Sequence, residues 1–268
     1  GNKIKIYESD ITDYSKIKDI VTAIKPQIVF HLASFGVHTY TDTSYKNTKE
    51  MIDSNIAGST NLLYALKYFP CELFINTGSC FEYGTSLVPF KENTVLRPSN
   101  LYGITKMSST MITHQLAENY NIPIVTIRPF TVYGPGASEK RFISTVIRSC
   151  LEGKDIQIPQ QPVVRDHIFI EDVIRAYILL AQKKDIKNNL IINISTGVGV
   201  SLEKTVKIVK RLTGSKSKIR KGAYQLRSGE VLSLIGSNTA AKQYLNWQPE
   251  YSLEKGLLEY ISYIRQDY

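Results

Sequence analysis

Short apolar runs alternate along the chain with longer amphipathic segments. Strands are predicted at residues 28–33, 73–77 and 124–127, helices at residues 13–23, 49–68 and 101–119, and a further alternating strand at residues 3–7. Buried strands that alternate with helices indicate an α/β fold with a doubly wound, parallel, Rossmann-like sheet. Ligands of such sheets bind beyond the carboxyl ends of the strands.

Composition narrows the classes of protein. A chain of 268 residues can form one large domain or two unequal ones. No apolar run approaches the roughly 20 residues that cross a bilayer, which argues against a membrane protein. Three cysteines without metal-ligand spacing, Cys71, Cys80 and Cys150, read as reduced thiols of a cytoplasmic protein. The net charge of +9 is scattered and suits nucleotide diphosphates, and no nucleic-acid motif accompanies it.

Tyr102 and Lys106 are the most informative pair of residues. Four positions apart on a predicted helix, their side chains lie on one face. A free phenol has a pKa near 10, and an ammonium beside it lowers that pKa by favouring the phenolate. The pair could move a proton to or from a sugar oxygen. The histidines His31, His38, His114 and His167 share no metal-ligand spacing, so no metal site is predicted.

Several motifs follow the predicted strands directly. They are His31-Leu32-Ala33-Ser34, Ser79 with Gly84 five residues later, the run from Arg128 to Gly136, and the run from Val164 to Val173. With Asn55, Tyr102 and Lys106 they resemble, in order, the extended short-chain dehydrogenase/reductase family. The resemblance is to its branch of NAD-dependent nucleotide-sugar epimerases, dehydratases and 4-ketoreductases, and it covers nearly all of the chain.

The resemblance implies roles for individual residues. Ser79, Tyr102 and Lys106 would be catalytic, and NAD or NADP would be the cofactor. Cofactor-binding residues would be Asp10, Ile11, Leu32, Ala33, Ser34, Asn55, Thr77, Tyr102, Lys106, Arg128 and Pro129. A nucleotide-diphosphate sugar would be contacted by Ser79, Cys80, Phe81, Thr131, Arg141, Arg165 and Arg227. Asp166 would pin a turn, Glu171 and Asp172 would cap a helix, and Trp247 would serve packing. A homodimer through the helices at 49–68 and 101–119 is also implied.

Departures from the family pattern narrow the reaction. In 4,6-dehydratases the two positions after the catalytic Ser or Thr are an acidic pair, and here they are Cys80 and Phe81. Phe81 cannot transfer a proton and a neutral thiol donates weakly, which disfavours dehydration. The 3,5-epimerase/reductases place a Cys two residues after the Ser, partnered by a His. This chain has Phe81 there and no His between residues 131 and 144.

Chemistry at C4 of the sugar remains. Thr131 stands where many relatives have Asn, and other motifs are similar to synthases that reduce a CDP-linked 6-deoxy-4-keto sugar. We therefore favour reduction of a nucleotide-linked 4-keto-6-deoxy sugar. The alternative is a nucleotide-sugar 4-epimerase, which inverts C4 through a transient ketone. The second alternative is a non-catalytic relative that binds nucleotide sugars.

The predicted cofactor-binding domain comprises residues 1–133 with about 164–182 and 231–240. The predicted nucleotide-sugar lobe comprises residues 134–163, 183–230 and 241–268. The family's Gly-x-x-Gly-x-x-Gly turn, which holds the cofactor pyrophosphate, does not occur in this sequence. The first strands of the fold are accordingly expected to be missing from the printed chain, and poor cofactor affinity and an exposed sheet edge are expected for the fragment alone.

Overall fold

Strands and helices alternate along most of the chain. The computed structural model describes residues 4–40, 42–86, 88–223, 225–226 and 229–267. The helices are α1 (Tyr14–Ile24), α2 (Tyr45–Ile52), α3 (Ser59–Leu66), α4 (Leu101–Asn119), α5 (Phe142–Leu151), α6 (Ile170–Gln182), α7 (Leu202–Thr213), α8 (Thr239–Leu245) and α9 (Leu253–Ile264). The strands are β1 (Ile28–His31), β2 (Leu73–Thr77), β3 (Ile124–Pro129), β4 (Thr131–Tyr133), β5 (Ile156–Ile158), β6 (Val164–Phe169), β7 (Leu190–Ile194), β8 (Gly199–Ser201), β9 (Ile219–Lys221) and β10 (Ser233–Leu234).

The chain divides into two compact units. The first comprises Gly1–Glu82, Pro98–Ile127 and Leu180–Ile191, and the second comprises Tyr83–Arg97, Arg128–Leu179 and Ile192–Tyr268. These bounds differ from the predicted ones in two ways. Residues 83–97, 128–133, 164–179 and 231–240, predicted with the cofactor-binding domain, fall in the second unit, and residues 183–191, predicted with the nucleotide-sugar lobe, fall in the first. Which unit serves cofactor and which serves substrate stays a prediction.

The first unit is built on a sheet of order β1-β2-β3-β7, in which β1 pairs with β2 and β2 with β3 in parallel. This agrees with the predicted parallel α/β fold. Its core is apolar, with Leu63, Phe74 and Ile124 fully buried. At the β1 edge, Phe30 and Leu32 are 45% and 61% exposed.

The second unit contains a sheet of order β10-β6-β4. Strand β6 pairs in parallel with β4 and β10 and antiparallel with β8. A separate parallel pair joins β5 to β9. Its main apolar cluster includes Ile147, Val209 and Leu257, all fully buried.

Two predicted elements differ from the structure. The predicted helix at 49–68 is a helical stretch interrupted by a π-helix, Asp53–Gly58, between α2 and α3. The predicted strand at residues 3–7 is wrong, because residues 4–10 have no regular structure. Ile4 and Ile6 are each 89% exposed, and no described strand pairs with them to form a sheet.

Three general features bear on function. Cys71, Cys80 and Cys150 are buried, and none of them forms a disulfide bond within the part of the chain that the structure describes. Over the described ranges, no helix has both the length and the apolar character that crossing a bilayer requires. Within the same residues, no cluster of three or more His, Cys, Asp or Glu side chains is arranged to hold a metal ion.

Candidate active site

Helix α4 fixes the positions of Tyr102 and Lys106. Asn100 caps its first turn, because the Asn100 side-chain oxygen accepts a hydrogen bond from the Gly103 amide at 2.9 Å. Tyr102, Lys106 and Thr110 follow at intervals of four residues and therefore share one face of the helix. All three are buried, Lys106 with only 2% of its surface exposed. The helix has the predicted bounds, and the pair lies on a buried face rather than a solvated one, while its catalytic role stays a prediction.

Ser79 lies in a tight turn that follows β2. The Ser79 hydroxyl accepts a hydrogen bond from the Phe81 amide at 3.2 Å, and the Ser79 amide donates to the Glu82 carboxylate at 2.7 Å. The Glu82 amide in turn donates to the Ser79 carbonyl at 3.1 Å. The turn is therefore closed in both directions, which holds the Ser79 side chain in one place.

Contacts between this turn and α4 bring the predicted catalytic residues into one region of the first unit. A β-carbon on Gly103 would lie 2.4 Å from the Phe81 carbonyl oxygen, so the helix approaches the turn as closely as a glycine allows. The Phe81 and Tyr102 rings pack edge to face with centroids 5.9 Å apart. Thr110 Oγ1 donates to the Glu82 carboxylate at 3.2 Å.

The electrostatics of this region are dominated by one buried ammonium. Burial lowers the pKa of Lys106 to about 8, and the nearby Glu82 carboxylate acts in the opposite direction. His31 lies on β1, and burial, followed by the Lys106 charge, lowers its pKa to about 3. His31 is therefore neutral at physiological pH, with Nε2 2.7 Å from the Ser59 hydroxyl oxygen.

Residues predicted to hold the dinucleotide lie at several places in the first unit. Leu32, Ala33 and Ser34 are exposed and follow the carboxyl end of β1 directly. Ile11 packs against Gly58, where a β-carbon would lie 2.6 Å from its side chain. Asp10 accepts two hydrogen bonds from Thr12, and these lower the pKa of Asp10.

Asn55 connects the segment after β1 to α4. Its side chain exchanges two hydrogen bonds with the backbone of Phe35, at 2.8 and 2.9 Å, and donates to Thr105 Oγ1 at 2.9 Å. Asn55 lies within the π-helix and is fully buried. It therefore positions the segment after β1 and helix α4 relative to each other within this unit.

The donor set of the first unit fits a nicotinamide dinucleotide in part. The ammonium of Lys106 and the hydroxyl of Tyr102 suit the hydroxyls of a ribose, and the exposed segment 32–34 leaves room beside a strand end. Thr77, also predicted to bind cofactor, is half-buried at the end of β2. The cofactor roles of these residues stay predictions.

Arg128 and Pro129, the other predicted cofactor residues, end β3 in the second unit. Arg128 is almost fully buried, and its guanidinium donates to the Tyr83 hydroxyl at 3.0 Å and lies over the Tyr83 ring at 4.7 Å. The Tyr83 hydroxyl donates to Asn193 at 2.7 Å. Arg128 is thus held in a structural network of its own unit.

The predicted substrate arginines lie in the second unit. Arg165 on β6 forms an ion pair with Glu230 at 2.5 Å, and both side chains are largely buried. Arg141 is half-buried at the start of α5. Arg227 lies outside the described residues.

His167 is a second buried histidine in this unit. It lies two residues after Arg165 on β6 and is paired in register with Thr131 on β4. Burial lowers its pKa to about 3, and the charges of Arg165 and Arg141 act in the same direction. Neither ring nitrogen has a hydrogen-bond partner among the residues that the structure describes. A buried imidazole whose ring nitrogens are both unsatisfied is unusual, and it could bind a polar group that reached it.

Cys80 and Phe81, predicted to contact substrate, lie in the Ser79 turn of the first unit. Cys80 is buried, and Phe81 is half-buried with its ring against those of Tyr102 and Tyr40. Neither residue is a proton-transfer group of the dehydratase kind.

The structural interpretations of Asp166 and Asp172 have different outcomes. Asp166 pins a turn, since its carboxylate accepts hydrogen bonds from Thr196, Gly197 and Gly236. Asp172 does not act as the predicted helix cap, because its carboxylate accepts the amides of Glu250 and Tyr251 instead. Asp172 lies inside the first turn of α6, and its backbone carbonyl accepts a hydrogen bond from the indole nitrogen of buried Trp247 at 2.9 Å.

Sequence reasoning missed Glu82 and the unsatisfied state of His167. The signal for Glu82 was a carboxylate inside an otherwise uncharged run, Ser79 to Gly84, next to a predicted catalytic serine. No comparable signal existed for His167, because its lack of a partner depends on the packing of β4 and β6.

Comparison with known proteins places the chain in a family. Residues 1–195 match the NAD dependent epimerase/dehydratase family, and the chain belongs to that family. The predicted family is thus confirmed, and so is the class of cofactor at the level of the family, which is NAD-dependent.

Individual relatives differ in what they are named for. The chain is 30% identical to UDP-glucuronate 4-epimerase of Thermodesulfobacterium geofontis, over 100% of this chain and 81% of the relative. It is 29% identical to CDP-abequose synthase of Salmonella typhimurium, over 84% of this chain and 74% of the relative. Among solved structures it is similar to a mutant of UDP-glucuronic acid 4-epimerase from Bacillus cereus in complex with UDP-4-deoxy-4-fluoro-glucuronic acid and NAD. That likeness has a TM-score of 0.90 and 25% identity, covering 98% of this chain and 82% of the other.

Proposed function

We propose that the protein is an NAD(P)-dependent oxidoreductase that acts at C4 of a nucleotide-linked sugar, reducing a 4-keto-6-deoxy sugar. One observation carries the proposal: the Ser79 turn and the Tyr102–Lys106 face of α4 lie against each other, with Gly103 at the closest approach. Chemistry at a single carbonyl needs these groups and no further acid or base.

The three side chains have distinct tasks in this proposal. The hydroxyls of Ser79 and Tyr102 donate hydrogen bonds to the carbonyl oxygen at C4 and stabilise the negative charge that develops there. Tyr102 passes its proton to that oxygen, and the Lys106 ammonium stabilises the phenolate that remains. When bound, NADH or NADPH supplies the hydride that adds to C4. Phe81 keeps the position beside Ser79 free of a second proton-transfer group.

The second unit supplies polar groups for the nucleotide diphosphate. A guanidinium binds phosphate oxygens in a bidentate manner, which suits Arg165 to the pyrophosphate, with Arg141 and Arg227 as further candidates. Without a ligand, the Arg165 guanidinium forms an ion pair with Glu230, which the pyrophosphate would replace or share. The free ring nitrogens of His167 offer a hydrogen bond to the same ligand within this unit.

Inversion at C4 is the second candidate. The relatives named UDP-glucuronate 4-epimerase and UDP-glucose 4-epimerase favour inversion. The relative named CDP-abequose synthase favours reduction, in line with the similarity to CDP-sugar synthases noted from the sequence. Both reactions use the same three side chains. They differ in whether the cofactor is consumed.

Incubation of the full-length protein with NADH or NADPH and a panel of nucleotide-linked 4-keto sugars tests the proposal. Reduction consumes one cofactor per product and yields a C4 alcohol, and this is the expected result. Net inversion of a UDP-sugar at C4 without cofactor consumption would favour epimerisation instead. Nucleotide binding with no turnover of either kind would indicate the non-catalytic relative and contradict the proposal.

Assembly and location belong to the same proposal. We expect a homodimer through the helical segment α2–α3 and α4, by the family resemblance, and a cytoplasmic location. Light scattering of the purified protein would check the first, and fractionation of the source cells the second.

A further inference from the structure

Glu82 is a buried carboxylate that the proposed chemistry does not use. It lies at the end of the Ser79 turn with none of its surface exposed. Burying an ionised carboxylate is unfavourable unless hydrogen bonds or an opposite charge compensate for it. Its position therefore requires an explanation in terms of its neighbours.

The neighbours of Glu82 are the groups that perform the proposed chemistry. Its carboxylate accepts the Ser79 amide at 2.7 Å and the Thr110 hydroxyl at 3.2 Å. Burial lowers the pKa of Lys106 and the Glu82 charge raises it, so that the net pKa is about 8. Tyr102, Lys106 and Thr110 form one face of α4, so this single carboxylate meets the catalytic turn and the catalytic helix together.

We propose that Glu82 is a positioning residue with two separable roles: its oxygen fixes the Ser79 turn, and its charge, held against the face of α4 that carries Lys106 by the bond from Thr110, compensates the buried ammonium. The inference rests on the proposed function, because it assigns Ser79 and Lys106 the roles given above. A carboxylate serves both roles at once, whereas an amide could serve only the first.

Other charged groups around Lys106 do not supply this effect. His31 faces Lys106 from β1 and is neutral, and Tyr102 shares its helix. Helix α2 and the π-helix also pack on α4. Their Lys49 and Asp53 are paired with each other at the surface, and neither the exposed Lys46 nor the half-buried Glu50 of α2 is among the charges that act on Lys106. Tyr64 on α3 faces Tyr120 instead. Glu82 is thus the attractive charge that acts on the buried ammonium.

Two variants separate the two roles. Glu82→Gln keeps an oxygen for the Ser79 amide and removes the charge, so Lys106 should lose its proton at lower pH. Glu82→Asp keeps the charge and withdraws the oxygen by one methylene, so the Ser79 turn should loosen. Thr110→Val is the matched control, since it removes a hydrogen bond to Glu82 from α4 and leaves the charge in place.

The direct readout is the titration of the Lys106 side chain, followed by NMR of protein labelled at lysine Cε and assigned with Lys106→Met. In Glu82→Gln we expect the midpoint to move down by about one pH unit relative to the unchanged protein. In Glu82→Asp and Thr110→Val it should stay in place. An unchanged midpoint in Glu82→Gln would overturn the electrostatic role, and this titration needs no turnover. Failure of the proposed function therefore stays distinguishable from failure of this inference.

Activity provides the second readout. The falling limb of the kcat profile at high pH should move to lower pH in Glu82→Gln and stay in place in Glu82→Asp. Glu82→Asp should instead lower kcat about tenfold at every pH with KM within about twofold, because misplacement of a catalytic hydroxyl affects the chemical step. A wild-type kcat in Glu82→Asp would overturn the positional role. If Glu82→Gln does not fold, Glu82→Asp still tests the positional role. The electrostatic role is then tested in Glu82→His at high pH, where the imidazole is neutral, by the same downward shift of the Lys106 midpoint.

Discussion

Two buried histidines show how the two units differ. His31 in the first unit and His167 in the second both have a pKa that burial lowers to about 3, and both are neutral at physiological pH. His31 is hydrogen-bonded to Ser59, whereas the ring nitrogens of His167 find no partner among the described residues. In the first unit the buried imidazole thus has a partner within the protein, although two other buried polar atoms there, Thr39 Oγ1 and Asn76 Oδ1, have none among the described residues. The second unit keeps hydrogen-bonding capacity beside two arginines.

This difference suggests a division of labour. A satisfied network holds its side chains in fixed positions, which is what a catalytic site requires. An unsatisfied buried group gains a partner when a polar ligand arrives, which is what a binding site requires. We therefore expect changes in the first unit to affect turnover and changes in the second to affect nucleotide affinity.

The largest expected effect comes from Tyr102→Phe. Removing the proton donor should lower kcat by a factor of about 10² to 10⁴, while binding of UDP or CDP stays within about twofold of the unchanged protein. Steady-state kinetics and calorimetry measure the two quantities on the same preparation. Lys106→Met should act in the same direction. If nucleotide affinity fell as much as kcat, the proposed separation between units would be wrong.

A smaller effect is expected from Arg165→Met. Loss of a charged, bidentate contact to the pyrophosphate should weaken UDP or CDP binding by about 10- to 100-fold. Arg220→Met is the control, because Arg220 also forms an ion pair but is exposed, at 58% of its side chain. The double variant Arg165→Met with Glu230→Gln shows whether an unpaired Glu230 contributes to the loss. Equal affinity in Arg165→Met and Arg220→Met would contradict the proposed site.

The two histidines also predict how stability depends on pH. Because the folded-state pKa of each lies near 3, below the unfolded value of about 6.5, each group binds its proton more readily after unfolding. Their contribution is therefore fully present above pH 6.5 and is lost as pH falls towards 3. In His167→Phe the decline between pH 6 and 4 should be shallower by about 1.4 kcal/mol per pH unit. Chemical denaturation at several pH values measures this, and parallel curves for the two proteins would contradict the buried neutral state.

The smallest effect is expected from removing the hydrogen-bond partner of His31. Ser59→Ala leaves His31 without its hydrogen-bond partner, and it also removes the bond that Ser59 donates to the Asn55 carbonyl and the one it accepts from the Ser109 hydroxyl. The free energy of unfolding should fall by about 1 to 2 kcal/mol, the usual range for a buried polar group left unsatisfied. Thr60→Ala is the control, since its hydroxyl bonds only the Ile56 carbonyl of the preceding turn. Equal losses in Ser59→Ala and Thr60→Ala would show that the Ser59 hydrogen bonds, the one to His31 included, contribute no more than an ordinary bond to a helix carbonyl.

Much of the fold could be predicted because local signals and tertiary packing agree. Helix α4 has the predicted bounds, since Asn100 caps its start and the chain leaves the helical conformation at its end, where Asn121 has a φ of 54°. The strand at residues 3–7 failed because alternation shows only that a segment could be a strand, and a strand also needs a partner. The π-helix escaped prediction because its extra residue per turn barely changes the apolar pattern.

The residues of the candidate site could be proposed from the sequence, whereas the contacts that hold them together could not. The motifs located Ser79, Tyr102 and Lys106, and the family match supports the resemblance that named them. The Glu82 contacts to Ser79 and Thr110, and the pairing of Arg165 with Glu230, could not be read from the sequence. Glu230 is 65 residues from Arg165, and only the packed structure makes them neighbours.

Transfer of deuterium to the sugar tests the central claim most directly. The full-length protein is incubated with NADH or NADPH deuterated at the transferable position of C4 and with a nucleotide-linked 4-keto-6-deoxy sugar, and the product is analysed by NMR and mass spectrometry. We expect one deuterium at sugar C4 in the unchanged protein and a rate reduced by about 10² or more in Tyr102→Phe. A product without deuterium at C4, or a Tyr102→Phe variant as fast as the unchanged protein, would contradict the proposed reaction.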